Sequence, residues 1–144
     1  MVGRCVLAAP VVERILHRLA LQVLERHYGG SVLPAIVPAS PRGEPLARQI
    51  EAHLLQEASR PCAQAGPGVP ILLVDDVLYT GRTLLGHLVR WWEQAPQVEA
   101  LVLVDRGHRR YPIAPDYVGL ALATTLQERV EVRPTEKGWE VWLV

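Results

Sequence analysis

The stretch ILLVDDVLYTGRT, Ile71 to Thr83, decides how the chain is read. An apolar run ends in two adjacent carboxylates, Asp75 and Asp76, and turns at once to tyrosine, threonine, glycine, arginine and threonine. Ile71 to Val74 has the β-branched, apolar character of a buried strand. From Gly81 to Gln94, Leu84, Leu85, Leu88, Val89 and Trp92 recur at helical spacing, which predicts a helix with those five on one face. A strand, a polar loop from Asp75 to Thr80 and a helix is the unit from which parallel sheets with helical crossovers are built.

Outward from this unit the same alternation continues. Val11, Val12, Ile15, Leu16, Leu19, Val23 and Leu24 predict an amphipathic helix, stopped by Gly29-Gly30. Ser31 to Val37 reads as a short buried strand, and PASPRGEP as a loop. Leu46, Ala47, Ile50 and Leu54 predict a helix over Pro45 to Ala58. Arg60 to Val69 is an irregular connector. Val98 to Val104 is a further strand, and Tyr117 to Leu122, Val130 to Arg133 and Trp139 to Leu143 are short ones, the last two pairing as a hairpin. The expected fold is α/β, a parallel sheet flanked by helices with a C-terminal β-hairpin, in one domain spanning 1–144. Ligands of open sheets bind beyond the carboxyl ends of the strands. Three polar loops lie there, Pro38 to Glu44, Asp75 to Thr80 and Asp105 to Pro115, and they point to one composite site.

Composition narrows the classes. The 144 residues are 49% hydrophobic and 21% charged, which excludes a disordered chain. Lys plus Arg equals Asp plus Glu at 15 each, which gives no overall basic footprint for nucleic acid, although a local patch stays open. Cys5 and Cys62 are too few for a disulfide framework and too far apart for a paired metal site. The stretch MVGRCVLAAPVVERILHRLA is broken by Arg4, Pro10, Glu13 and Arg14, so it reads neither as a signal run nor as a membrane span of about 20 residues. A cytoplasmic protein with no membrane partner is expected.

The central loop has its own chemistry. Ionised carboxylates accept hydrogen bonds from vicinal hydroxyls or bind Mg2+, directly or through water. Thr80-Gly81-Arg82-Thr83 opens a helix, whose free N–H groups and positive dipole end suit a phosphate. An acidic pair beside a phosphate cradle describes a reader of ribose 5-phosphate. Taken singly, each residue also fits a plain role as strand end or helix cap. GxxxxGK[ST] and GxGxxG are both absent, which excludes a Walker A loop and a dinucleotide fingerprint.

VDDVLYTGRT resembles the phosphoribosyl-pyrophosphate (PRPP) loop of type I phosphoribosyltransferases. Together with LVLVDRGHRRYPIAPDYVGL, Leu101 to Leu120, it is most similar to the PyrR-type branch, the pyrimidine operon attenuators and uracil phosphoribosyltransferases. The resemblance implies transfer of phosphoribosyl from PRPP to a nucleobase, uracil by expectation, with release of pyrophosphate. It implies that Asp75 and Asp76 hold the ribose hydroxyls and that Thr80, Gly81, Arg82 and Thr83 hold the 5-phosphate. Val77, Leu78 and Tyr79 complete that loop. Asp105 and Arg106 correspond to the family's loop near the base and the metal-bound pyrophosphate, extended by His108, Arg109 and Arg110. Ser40, Arg42 and Gly43 match the pyrophosphate loop. The implied cofactor is Mg2+, carried mainly by PRPP with Asp105 as a candidate ligand. The implied partners are PRPP, pyrophosphate, a UMP-like nucleoside monophosphate, a nucleobase and RNA, and the implied assembly is a homodimer.

The chain also departs from the family pattern. Ser40 stands where an arginine is usual, Pro38 replaces a glycine and Leu120 replaces a lysine. The connector Arg60 to Val69 is too short for the strand and flap hairpin the family carries there. Three readings follow: a Mg2+-dependent transferase, a nucleotide-sensing RNA-binding regulator, for which Arg14, Arg18 and Arg26 on the first helix also read as ordinary solvated charges, and a ligand-binding subunit without catalysis.

Overall fold

A computed structural model describes residues 3–30 and 32–144. The strand that carries the two aspartates is the centre of the molecule. Four parallel strands form one sheet in the order β2-β3-β4-β5: β2 Ala35–Pro38, β3 Ile71–Leu78, β4 Val98–Asp105 and β5 Tyr117–Ala121. Ile71, Leu72, Leu73 and Val74 have no measurable exposure, as the unbroken apolar run requires of a strand covered on both faces.

Two helices cover one face of the sheet, α1 (Ala9–Arg26) and α2 (Glu44–Glu57). Val12, Leu16, Leu19 and Val23 of α1 meet Leu46, Ile50 and Leu54 of α2 over Leu72, Val74, Leu101 and Leu103. Each fully buried leucine contributes about 2 kcal/mol of transfer free energy. The third helix, α3 (Arg82–Trp91), covers the other face through Leu84, with Leu85, Leu88 and Trp91 packed around it. A second, antiparallel sheet stands over the carboxyl ends of the parallel strands. It joins β1 (Arg4–Leu7) to the hairpin of β6 (Val130–Thr135) and β7 (Gly138–Leu143), in the order β1-β7-β6.

At the opposite end of the sheet a buried carboxylate is fully engaged. Glu99, at the start of β4, is bonded to His27 Nε2 at 2.6 Å and accepts from the Tyr117 hydroxyl at 2.9 Å. Arg26 approaches Glu99 at 3.5 Å and lies over the Tyr117 ring at 4.8 Å. A buried charge without such partners would cost several kcal/mol. The network ties the end of α1 to the β4–β5 side of the sheet.

Several sequence expectations are corrected. β1 was not anticipated. The strand expected at Ser31 to Val37 is only Ala35–Pro38, and Ser31 itself lies outside the described residues, as do Met1 and Val2. PASPRGEP holds a 3-10 helical turn, Pro41–Gly43, in place of a plain loop. β3 runs four residues beyond Val74, so Asp75 and Asp76 belong to the strand and not to the loop, because Asp75, Val77 and Leu78 continue the pairing with β4. The third helix stops at Trp91, and Val89 and Trp92 face solvent at 66% and 70% exposure. Its buried face is rotated toward Trp91. Among the described residues, the segment between α2 and β3 contains no strand or hairpin, only a bridge between Leu33 and Cys62.

Candidate active site

The three polar loops do converge. Asp75, Asp76, Val77 and Tyr79 from the end of β3, Ser40, Pro41 and Arg42 from the 3-10 turn, Thr83 from α3, Arg106 from the end of β4 and Arg129 and Val130 from the hairpin line one hollow of about 460 Å³. A smaller hollow of about 170 Å³ opens from it at the start of α3, between Asp75, Tyr79 and Thr80 to Leu84. A third, of about 370 Å³, adjoins it at Arg42, Asp76 and Val130 and is closed by Pro45, Glu131, Val132, Arg133, Pro134 and Trp139.

The two aspartates differ in environment. Asp75 is 6% exposed. One of its carboxyl oxygens accepts from the Ser40 hydroxyl at 2.8 Å and from the Asp76 amide at 2.9 Å. Burial, reinforced by the neighbouring Asp76 carboxylate and only partly offset by Ser40, pushes the Asp75 carboxyl up to about 7. Asp76 is half-buried, accepts from the Val77 amide at 2.8 Å, and borders both larger hollows. The Ser40 hydroxyl also accepts from the Gly43 amide at 3.2 Å and caps the 3-10 turn. That serine is therefore committed to the fold of the loop. Gly43 is fixed by close approach: a Cβ there would stand 2.6 Å from the Val74 carbonyl oxygen.

The phosphate-type cradle is built by backbone. Gly81 has φ +91°, which turns the chain into α3. The Thr80 hydroxyl accepts from the Arg82 amide at 3.3 Å. The Thr80 carbonyl accepts from the amides of Arg110 and Tyr111 at 2.8 and 3.2 Å, so the loop after β4 braces the cradle from outside. Ile113 packs so tightly there that a Cβ on Gly81 would come within 2.7 Å of its Cγ2.

Arg106 is placed differently from a ligand-facing cation. It is 6% exposed, donates to Thr124 Oγ1 and to the Thr125 carbonyl at 3.2 Å each, and donates again to the Glu128 carbonyl. Its guanidinium stacks on Tyr79 at 4.1 Å. It thus holds the segment before the hairpin against the central loop. His108, at φ +63°, is bonded to the Thr124 carbonyl at 2.7 Å and meets Tyr79 edge-on. Asp105 accepts from the Gly107 amide at 3.0 Å, and Arg109 donates to the Ile113 carbonyl at 2.9 Å. On α1, Arg26 is engaged with Glu99 and Asp116, and Arg18 donates to the Gly119 carbonyl at 3.0 Å.

The hairpin residues Arg129, Val130, Glu131, Arg133 and Trp139 were not anticipated at the site. Among the described residues, no three His, Cys, Asp or Glu side chains converge to cage a metal ion.

No protein-family model matches the chain. Among curated proteins, the Bifunctional protein PyrR of Herpetosiphon aurantiacus is 34% identical over 154 residues, covering 87% of this chain and 86% of that protein. The Deinococcus radiodurans protein of the same name is 34% identical over 161 residues and covers 91% and 87%. Among solved structures, the hypoxanthine phosphoribosyltransferase of Trypanosoma cruzi in complex with the product IMP aligns with TM-score 0.75 at 15% identity, covering 84% of this chain and 77% of that one. The fold is that of the phosphoribosyltransferases, and at this identity and coverage the chain belongs to the PyrR family, a PyrR-type phosphoribosyltransferase.

Proposed function

We propose that the protein transfers phosphoribosyl from PRPP to a pyrimidine base, uracil being the first candidate, and releases pyrophosphate. The observation that carries this reading is the continuity of the cleft: the helix start at Thr80 to Thr83, the carboxylate of Asp76 and the guanidinium of Arg42 border connected hollows. In this reading the backbone at Gly81 to Thr83 binds the 5-phosphate, with Thr80 and Thr83 adding hydroxyls. Asp76, helped by Asp75, orients the ribose through its hydroxyls. Val77, Leu78 and Tyr79 form the floor. Ser40, Arg42 and Gly43 shape the pyrophosphate end, where only Arg42 brings charge. Arg106 is a positioning residue, since its Nε donates to Thr124 Oγ1 and its Nη2 to the carbonyls of Thr125 and Glu128.

The reaction breaks the bond from carbon 1 to the diphosphate oxygen and forms one from carbon 1 to a base nitrogen, which loses its proton. Holding the two reactants in line is the protein's main contribution. Mg2+, when bound with PRPP, would neutralise part of the diphosphate charge; Asp76, which lines the cleft, is the carboxylate that would hold it, with Asp105 at the end of β4 as a further candidate.

The test is pyrophosphate release from PRPP on addition of uracil, cytosine, hypoxanthine or guanine, with and without Mg2+. Turnover with uracil that depends on Mg2+ is the expected result. Measurable PRPP affinity with no turnover on any base would leave a binding subunit instead. The relatives' name, bifunctional, favours a second role as a regulator that binds RNA. Salt-sensitive retention of a pyrimidine-operon leader RNA on the protein is its test, and absence of retention removes it.

A further inference from the structure

The outer face of α3 has features that the packing of a single chain does not require. Val89 and Trp92 stand exposed at 66% and 70%. Trp92 keeps helical backbone angles, φ −46° and ψ −51°, so it lies on the turn after Val89. Both border a hollow of about 360 Å³ shared with Arg90, Glu93 and Gln94. On the turn before Val89 comes Gly86, which is also exposed. A glycine inside a helix weakens it relative to alanine. Nothing within the chain calls for one here, since a Cβ at Gly86 would meet no atom within 4 Å. A helix-interior glycine one side of an exposed valine, with an exposed tryptophan on the other, fits a surface that a second backbone approaches closely.

The charges on this face run against the helix's own preference. Arg82 opens α3 and Glu93 lies just past its end, both exposed. The amino end of a helix disfavours a cation and the carboxyl end an anion. Among the described residues neither side chain forms an ion pair. Along the face the order is Arg82, Gly86, Val89, Trp92, Glu93. Turned through half a circle about Val89, this series sets the bulky, acidic end of one copy against the small, basic end of the other. The helix dipoles then run antiparallel as well, and each misplaced charge gains an opposite one. The face is complementary to itself, as a two-fold interface requires. A nucleic acid or an anionic membrane would call for one sign of charge, whereas the two ends here carry opposite signs.

We infer that a second copy of the chain docks on the outer face of α3, with the two helices antiparallel across a two-fold axis near Val89. This does not depend on the transferase reading above. A helix of 10 residues is about 15 Å long, so a pair of such faces buries less than a standard interface and the dimer is a weak, reversible one.

Sedimentation equilibrium of the full chain, from about 1 µM to about 500 µM, tests this by reading the dimer Kd. The unmodified protein is expected to show a monomer–dimer equilibrium within that range. W92K should raise the Kd by more than about tenfold, because it removes the largest apolar contact. E93R should raise it by about threefold at low salt, an effect that added salt removes. G86L should melt at the same temperature or higher, since leucine in open space strengthens the helix, and should still raise the Kd as W92K does. In a C5S background, V89C should close a covalent dimer under mild oxidation, whereas L55C on the exposed face of α2 should not. A protein that stays monomeric over the whole range overturns the inference. So does a dimer whose Kd is unchanged in both W92K and G86L, because the second copy then docks on another face. Cross-linking of L55C as readily as V89C overturns it too.

Discussion

Asp75→Asn is the most informative single change in the cleft, because it separates what the carboxyl does for folding from what it does for a ligand. The folded chain holds this group up to about 7, against 3.8 for a free aspartate. Between those two pH values the native state keeps a proton that the unfolded chain releases. The stability this provides is therefore fully present below about pH 4 and is lost as pH rises through about 7. Moving a carboxyl from 3.8 to about 7 corresponds to about 4 kcal/mol at most. Asparagine is neutral at every pH and still accepts from Ser40 and the Asp76 amide, but its own amide must be buried. The net gain at pH 8 is expected to be about 1–3 kcal/mol, or roughly 3–10 °C in melting temperature for a chain of this size. Thermal unfolding followed by circular dichroism at pH 5, 6, 7 and 8 reads it. The variant and the unmodified protein are expected to differ least at pH 5, to diverge as pH rises to about 7 and to keep a constant separation from there to pH 8, the variant being more stable. At the same time the variant is expected to bind UMP more weakly. A melting difference that does not change with pH, or a variant less stable at pH 8, refutes the burial argument for Asp75.

Three further outcomes are expected. Asp76→Asn should weaken UMP, PRPP and ribose 5-phosphate alike by about tenfold, through loss of charge-assisted hydrogen bonds to the ribose hydroxyls; calorimetry that finds unchanged affinity contradicts the ribose assignment. Gly81→Ala forces a side chain into φ +91° and against Ile113, so a destabilisation of about 1–3 kcal/mol in urea unfolding should accompany loss of phosphate affinity. Arg106→Leu abandons Thr124 Oγ1 and the carbonyls of Thr125 and Glu128, which should cost about 2–4 kcal/mol and admit proteolytic cleavage near 124–128; cleavage at an unchanged rate contradicts its positioning role.

Much of this architecture is legible in the residues themselves. The periodicity of Val12, Leu16, Leu19 and Val23 specifies α1, and the apolar run before Asp75 specifies a strand covered on both faces. The losses have local physical causes. β1 is four residues whose partner, β7, lies at the far end of the sequence, so no nearby pattern announces it. Two adjacent carboxylates argue against a strand interior, which makes Val74 read as the end of β3, yet the ladder to β4 and the Ser40 hydroxyl make Asp75 acceptable there. Trp91 and Trp92 compete for one helical face, and only the position of the sheet decides for Trp91. The convergence of Ser40, Arg42, Asp76 and Thr83 follows from the rule that parallel strands bind ligands at their carboxyl ends. Arg129, Glu131 and Arg133 reach the cleft only because the hairpin folds back over it, and nothing in their local spacing signals that.

The short edge strand β2 has a consequence for how the protein behaves in concentrated solution. Ala35 and Ala39 donate their amides inward, to Pro70 and Val74, so the amides at positions 34, 36 and 38 are directed outward by the alternation of a parallel strand. Pro34 and Pro38 have no amide hydrogen. A foreign strand approaching this flank finds the single N–H of Ile36, flanked by proline positions that offer carbonyl acceptors but no donor. Edges of this kind resist recruitment into intermolecular sheets. The two prolines that make β2 look like a poor strand therefore act as a barrier to fibril-type association at the rim of the parallel sheet.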